Sequence, residues 1–183
     1  EEFTASLFSE KQMAELQVEG YTRFESIVIR SISDAVRQTD IDIRSPRTLF
    51  VLSTTKGDIE ELSGIPENDG RYFSPGASAK RIAGYFGITT DPIVVCNACI
   101  SGTTAQILAS RLMETGLYDN AIVCGADYQS PFVVAGFMSF KSLSPEECRP
   151  FDIERLGLNL GDAAATVILS NSDGKAEGWK LLK

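Results

Sequence analysis

Apolar residues Phe24, Ile27, Val28, Ile32, Ala35 and Val36 recur every three or four positions through YTRFESIVIRSISDAVRQTD, which predicts an amphipathic helix. The period then changes. Leu49 to Leu52 in RTLFVLSTT form a short continuous apolar run with Gly57 and Asp58 soon after, the pattern of a strand covered on both faces. Residues 64 to 76, GIPENDGRYFSPG, are loop by their Gly, Pro, Asn and Asp content. A helix is predicted from Pro75 to Phe86, with Pro in its first turn and Gly87 behind it. PIVVCN is a second buried strand, SGTTAQILASRLM from Ser101 to Met113 a helix ended by Gly116, and AIVCGAD from Ala121 a third strand. AAATVILS, 163 to 170, makes a fourth, and Trp179 to Leu182 begin a fifth.

Apolar strands alternating with helices of ten or more residues predict an α/β fold, a parallel or mixed sheet between helices. No internal repeat or low-complexity tract interrupts it, and 183 residues with 43% hydrophobic content suit one domain, 1–183, on the usual scale of roughly 100 to 200 residues. The first element reads as a helix and the last candidate strand runs into Lys183, so both ends are expected to be cut from something larger.

A net charge of −8 argues against a general nucleic-acid or anionic-membrane surface, since both are bound by clustered Lys and Arg. Four cysteines, Cys96, Cys99, Cys124 and Cys148, are too sparse for a disulfide scaffold. With no signal-peptide pattern and no apolar run near the ~18 residues that span a bilayer, a soluble cytoplasmic protein is expected. The chain contains no histidine. Ser-His-Asp and Cys-His chemistry therefore cannot be completed by these residues alone, nor can an imidazole hold zinc here.

The sharpest local feature is VVCNACISGT. Asn97 to Gly102 connect a predicted strand to a predicted helix and place Cys99 near a helix N-terminus, where unpaired N–H groups and the macrodipole favour a thiolate. A buried structural cysteine explains Cys99 about as well, because free Cys is among the most buried residue types. Zinc binding through Cys96, Cys99, Cys124 and Cys148 is disfavoured, since Cys124 falls within a predicted strand and paired CxxC knuckles are lacking. A redox pair of the thioredoxin type would set its first Cys at the helix start, whereas Cys96 falls in the predicted strand and reads as core.

Asn-Ala-Cys-Ile-Ser-Gly resembles the nucleophile turn of the β-ketoacyl-acyl-carrier-protein synthases. The later stretches CGADYQSPF, GFMSFKSLSP and RPFDIERLGLNLGDAAATVILS extend the resemblance in the same order, over roughly residues 75 to 170. Departures are visible: Leu156 stands where Asp is usual, Leu158 for Phe, Asp162 for Glu, Ala163 and Ala165 for Gly, and Ile100 for a smaller residue. The segment between Leu143 and Arg149 is also shorter than in the common elongation enzymes.

The resemblance implies a thiolase-like fold of two βαβαβαββ halves, with this chain supplying most of the first and the C-terminal half absent. It implies a decarboxylative condensation with no cofactor or metal. Cys99 would be acylated by an acyl carrier protein, and two histidines and a lysine from the second half would then serve malonyl decarboxylation. By the same resemblance Ile100 and Phe137 would line the acyl site, although an ordinary core aromatic explains Phe137 as well. Lys141 and Arg149 would contact the acidic carrier, with solvated surface charge as the plain alternative, and Asp152 with Arg155 would form a structural pair. A homodimer, or a heterodimer with a ketosynthase-like subunit, is expected, joined through the strand before the nucleophile. The pathway would be fatty-acid or polyketide synthesis, the short LSPEECRPFD and GLNLGDAA variants pointing toward aryl-polyene-type enzymes. A non-catalytic subunit of the chain-length-factor kind and a small α/β binding module with an inert Cys99 are the competing expectations.

Overall fold

The computed structural model describes residues 2–59 and 74–171. The expected strand from Trp179 and most of the expected loop 64–76 lie outside the described residues. The fold opens with a two-residue strand, β1 (Ala5–Ser6), and a short helix, α1 (Glu10–Leu16), both ahead of the long helix α2 (Arg23–Val36) that the periodicity places first. Strand β2 (Thr48–Ser53) follows, then α3 (Pro75–Phe86), β3 (Ile93–Val95), α4 (Ser101–Glu114) and β4 (Asn120–Asp127). Helix α5 (Pro131–Ser139), β5 (Leu160–Gly161) and β6 (Ala163–Ser170) complete the described elements.

Four of the five described helices start at a capping side chain. Ser9 and Thr22 build capping boxes with Gln12 and Glu25, which satisfy orphan N–H groups in both directions. Ser74 and Ser130 cap helices that carry Pro in the first turn. Helix α3 ends where Gly87 takes φ +68°, a left-handed conformation without penalty only for glycine.

The main sheet has the order β3-β2-β4-β6, the first three strands parallel and β6 antiparallel to β4 over its full length. Every residue of β2 is buried, so its side chains fill both faces. Phe50 and Leu52 join Ile122 and Cys124 under α2 and α3, while Leu49 and Val51 join Ala121 and Val123 under α4. Because β3 and β4 flank β2 on opposite sides and their helices lie on opposite faces, the two crossovers share one hand. This is the mixed sheet between helices expected of one thiolase-like half.

Two strands are less covered than their apolar sequences suggest. Strand β3 pairs only with β2 among the described residues and leaves Ile93 and Val94 half-buried. In β6, Ala163, Ala165 and Val167 are exposed and alternate with half-buried neighbours, as an edge strand with one open face does. A minor pairing of β1 with β5 ties the chain start to the Asp162 turn: Asp162 accepts from the Phe8 N–H at 3.2 Å and the Gln129 N–H at 2.7 Å.

Candidate functional site at the carboxyl end of the sheet

Strands β2, β3 and β4 are parallel, so Thr54, Cys96 and Asp127 emerge at one end of the sheet, the end where α/β folds place ligands. The turn from β3 into α4 stands there. Ala98 adopts φ +47°, which turns the chain sharply before Cys99. The buried Ser101 hydroxyl holds that shape, accepting from the Asn97 N–H and donating to the Ala98 carbonyl, both at 2.7 Å. Asn97 donates to the Thr104 hydroxyl at 3.1 Å, tying the turn to the first helical turn. Ile100 and Ser101 N–H groups close onto the Asn97 and Ala98 carbonyls at 3.2 Å, whereas the Cys99 N–H has no backbone acceptor among the described residues. Cys99 itself is exposed.

The helix that follows is unusually open at its start. Its N-cap is Ile100, without a side-chain cap bond and 59% exposed, where Ser, Thr, Asp or Asn would gain about 1 kcal/mol. Gly102 is not demanded by space within the described chain, since a side chain there would meet Ser53 only at 4.0 Å.

Cys96 corrects the sequence expectation. Strand β3 ends at Val95, short of the expected PIVVCN, and Cys96 is exposed rather than core. Its thiol is raised above the usual range by partial desolvation and by the nearby Asp127 carboxylate. Cys124 is buried in β4, and desolvation pushes its thiol up to about 11 against the opposing hydroxyls of Thr166 and Ser31. Cys148 is exposed on the 140–158 segment. Among the described residues no cluster of three or more His, Cys, Asp or Glu side chains could hold a metal ion.

The remaining candidates lie on α5 and the segment after it. Phe137 is half-buried within α5, and Lys141 is exposed immediately beyond it at φ +54°. Arg149 is not a free cation: it pairs with Asp152 at 3.2 Å, approaches Glu146 at 3.9 Å and donates to the Glu154 carbonyl. The expected structural pair of Asp152 with Arg155 is made through the Asp152 carbonyl, which accepts from Arg155 at 3.1 Å, while the Asp152 carboxylate pairs with Arg149. The same stretch exposes Phe132, Phe140, Phe151, Ile153 and Leu156.

A polar cluster missed by the sequence reading stands beside the β3–α4 turn. Asp127 Oδ1 accepts from Lys56 Nζ at 2.9 Å, from the Thr54 and Thr55 hydroxyls at 3.1 and 2.8 Å, and from the Thr55 N–H at 3.1 Å. The available signal was position: Thr54, Thr55 and Lys56 directly follow one buried strand and Asp127 ends another.

Residues 21–174 match the family described as β-ketoacyl synthase, N-terminal domain. A putative polyketide β-ketoacyl synthase 1 from Streptomyces cyaneus is 32% identical over 130 residues, covering 66% of this chain and 31% of the relative. The 3-oxoacyl-[acyl-carrier-protein] synthase 2 of Vibrio cholerae is 31% identical over 128 residues, with 63% and 31% covered. Among solved structures, a ketosynthase in complex with its chain length factor from Xenorhabdus doucetiae superposes with TM-score 0.69 at 25% identity, covering 94% of this chain and 45% of that one. The ishigamide ketosynthase/chain length factor gives TM-score 0.77 at 19% identity, covering 91% and 47%. The chain thus spans about a third of those curated relatives and under half of those solved chains. The family match runs through all four strands of the main sheet and the Cys99 turn, and the chain belongs to the β-ketoacyl synthase family, matching its N-terminal domain.

Proposed function

We propose that the protein carrying this chain is a 3-oxoacyl-acyl-carrier-protein synthase in which Cys99 is the acyl-accepting nucleophile. The observation that carries this reading is an exposed thiol on a sharply turned strand-to-helix connection at the carboxyl end of a parallel sheet, inside a ketosynthase family match. The Cys99 thiolate attacks the carbonyl carbon of an acyl-carrier thioester, and the carrier thiol leaves. A malonyl thioester then loses CO2, and its carbanion attacks the Cys99 thioester, forming the new C–C bond and releasing Cys99. The Cys99 N–H, without a backbone acceptor in the described chain, suits one oxyanion donor, a role for which removing one donor typically costs about 3 kcal/mol.

Ile100, exposed beside Cys99, and Phe137 in α5 would contact the acyl chain. Lys141 is the better carrier-docking cation, because the Arg149 charge is already engaged by Asp152 and Glu146. The chain has no histidine, so decarboxylation would depend on residues beyond it, and the 183-residue chain alone should release no CO2 from malonyl carrier. The half-covered β3 edge and the apolar groups on α5 and 151–156 suit burial against further protein, as a homodimer or beside a ketosynthase-like subunit. The pathway would be fatty-acid or polyketide synthesis, including the aryl-polyene type. A non-catalytic chain-length-factor role would leave Cys99 without purpose, and an inert core cysteine is hard to reconcile with its exposure.

The test is intact-protein mass spectrometry after incubating the whole protein with an acyl-carrier thioester. One acyl adduct on the wild type, absent from Cys99→Ser, is expected. An adduct that survives the substitution, or none on the wild type, would overturn the reading.

A further inference from the structure

We infer that Lys56 and Asp127 form a positioning clamp for the nucleophile turn, holding through Thr54 the strand end from which Cys96–Cys99 are suspended. This goes beyond the proposed function and rests on it where the role of Cys99 is concerned.

The connection is continuous. Strand β2 pairs with β3 up to Ser53 opposite Val95, and the Thr54 N–H then donates to the Val95 carbonyl at 3.2 Å, the last backbone bond before the turn begins. The Thr54 hydroxyl donates to Asp127 and accepts from the Gly57 N–H at 2.9 Å, so the same residue is held from both sides. Thr54 is 1% exposed, so these bonds are made in the interior. Lys56 Nζ completes the cluster, bonded to Asp127 and to the Thr55 hydroxyl at 3.1 Å, and its side chain is only 11% exposed. Such partial burial of an ammonium is tolerated because its carboxylate partner is in contact, and it makes each partner depend on the other.

The clamp also carries charge into the site. The Asp127 carboxylate is close enough to Cys96 to raise its thiol, placing the ion pair beside the turn rather than at a remote face. Asp127 closes β4 while Thr54 to Lys56 follow β2, so the pair fastens two adjacent strand ends together next to the suspended turn. Positioning of a nucleophile is steeply distance-dependent, and a displacement of about 1 Å can cost on the order of 100-fold in rate.

The experiment compares the whole protein with Asp127→Asn, Asp127→Glu and Lys56→Met, checking each by thermal melting. Two quantities are read by mass spectrometry: the pH profile of Cys96 alkylation by iodoacetamide, and the rate of Cys99 acylation at saturating acyl-carrier thioester. Asp127→Asn should move the Cys96 profile to lower pH, because a raising charge is removed, and Asp127→Glu should restore it. Lys56→Met should not move that profile downward. Cys99 acylation should fall about 10-fold or more in Asp127→Asn and Lys56→Met and recover in Asp127→Glu. An unshifted Cys96 profile with an unchanged Cys99 rate in Asp127→Asn overturns the clamp, as does a loss that Asp127→Glu fails to rescue in a folded variant. If wild-type Cys99 takes up no acyl group, the proposed function fails instead, and the clamp is then judged by the Cys96 profile and by Cys99 alkylation.

Discussion

Replacing Arg81 with Met isolates a buried carboxylate. Glu25, in the first turn of α2, has a side chain 2% exposed, and Arg81 Nε of α3 donates to it at 2.8 Å. The arginine also donates to the Gly20 carbonyl at 2.6 Å and stands 5.1 Å over the Tyr21 ring. Removing it leaves Glu25 with the Thr22 N–H at 3.2 Å and the favourable end of the helix dipole. A charged hydrogen bond is worth about 1.5–3 kcal/mol, and the lower part of that range applies because Arg81 is half exposed and screened. The lost cation–π contact adds about 0.5 kcal/mol, for a total near 2–2.5 kcal/mol. In a chain of this size that corresponds to roughly 4–10 °C in Tm, read by circular dichroism alongside a urea titration. The double variant Glu25→Gln, Arg81→Met should recover about 1 kcal/mol of the loss, because the second change removes the stranded charge. An Arg81→Met stability within about 0.5 kcal/mol of wild type would refute the reasoning, showing that the capping N–H and the dipole suffice for Glu25.

Two further outcomes follow from packing and titration. Cys124 gains stability from its neutral, buried thiol, so that contribution is present below its ordinary value near 9 and is lost as pH rises toward 11, roughly 2–3 kcal/mol in all. Stability curves between pH 9 and 11 should therefore fall more steeply for wild type than for Cys124→Ala, and parallel curves would contradict this. Gly157→Ala should destabilise the loop before β5 by about 1–3 kcal/mol, because the added carbon would lie 2.6 Å from the Ser142 carbonyl oxygen, and a variant as stable as wild type in a urea titration would refute it.

The major elements were legible because their causes are local. The three- and four-residue spacing of α2, the Ser-Pro start and Gly87 stop of α3, and the apolar runs of β2 and β4 each carry their own signal. Helices α1 and α5 were overlooked although Ser9 with Gln12 and Ser130 with Pro131 mark their starts; neither has enough amphipathic length to stand out by period. The nucleophile candidate was legible in the same way, since a strand, a small-residue turn and a helix N-terminus adjoin within ten residues.

The chain alone thus determined the longer helices and the apolar strands of the main sheet, and that Cys99 stands at a strand-to-helix turn, because those are properties of neighbours along the sequence. Only the tertiary structure decided which strand is central and which are edges, and so that Cys96 is exposed and β6 half open. It also decided that Arg149 turns to Asp152 rather than standing free, and that Asp127 meets Lys56 across 71 positions of sequence. Those outcomes depend on strand order and on charges brought together by folding. A pattern of apolar and polar residues fixes the period of a segment, whereas its partners are set by the packing of segments far apart in the chain.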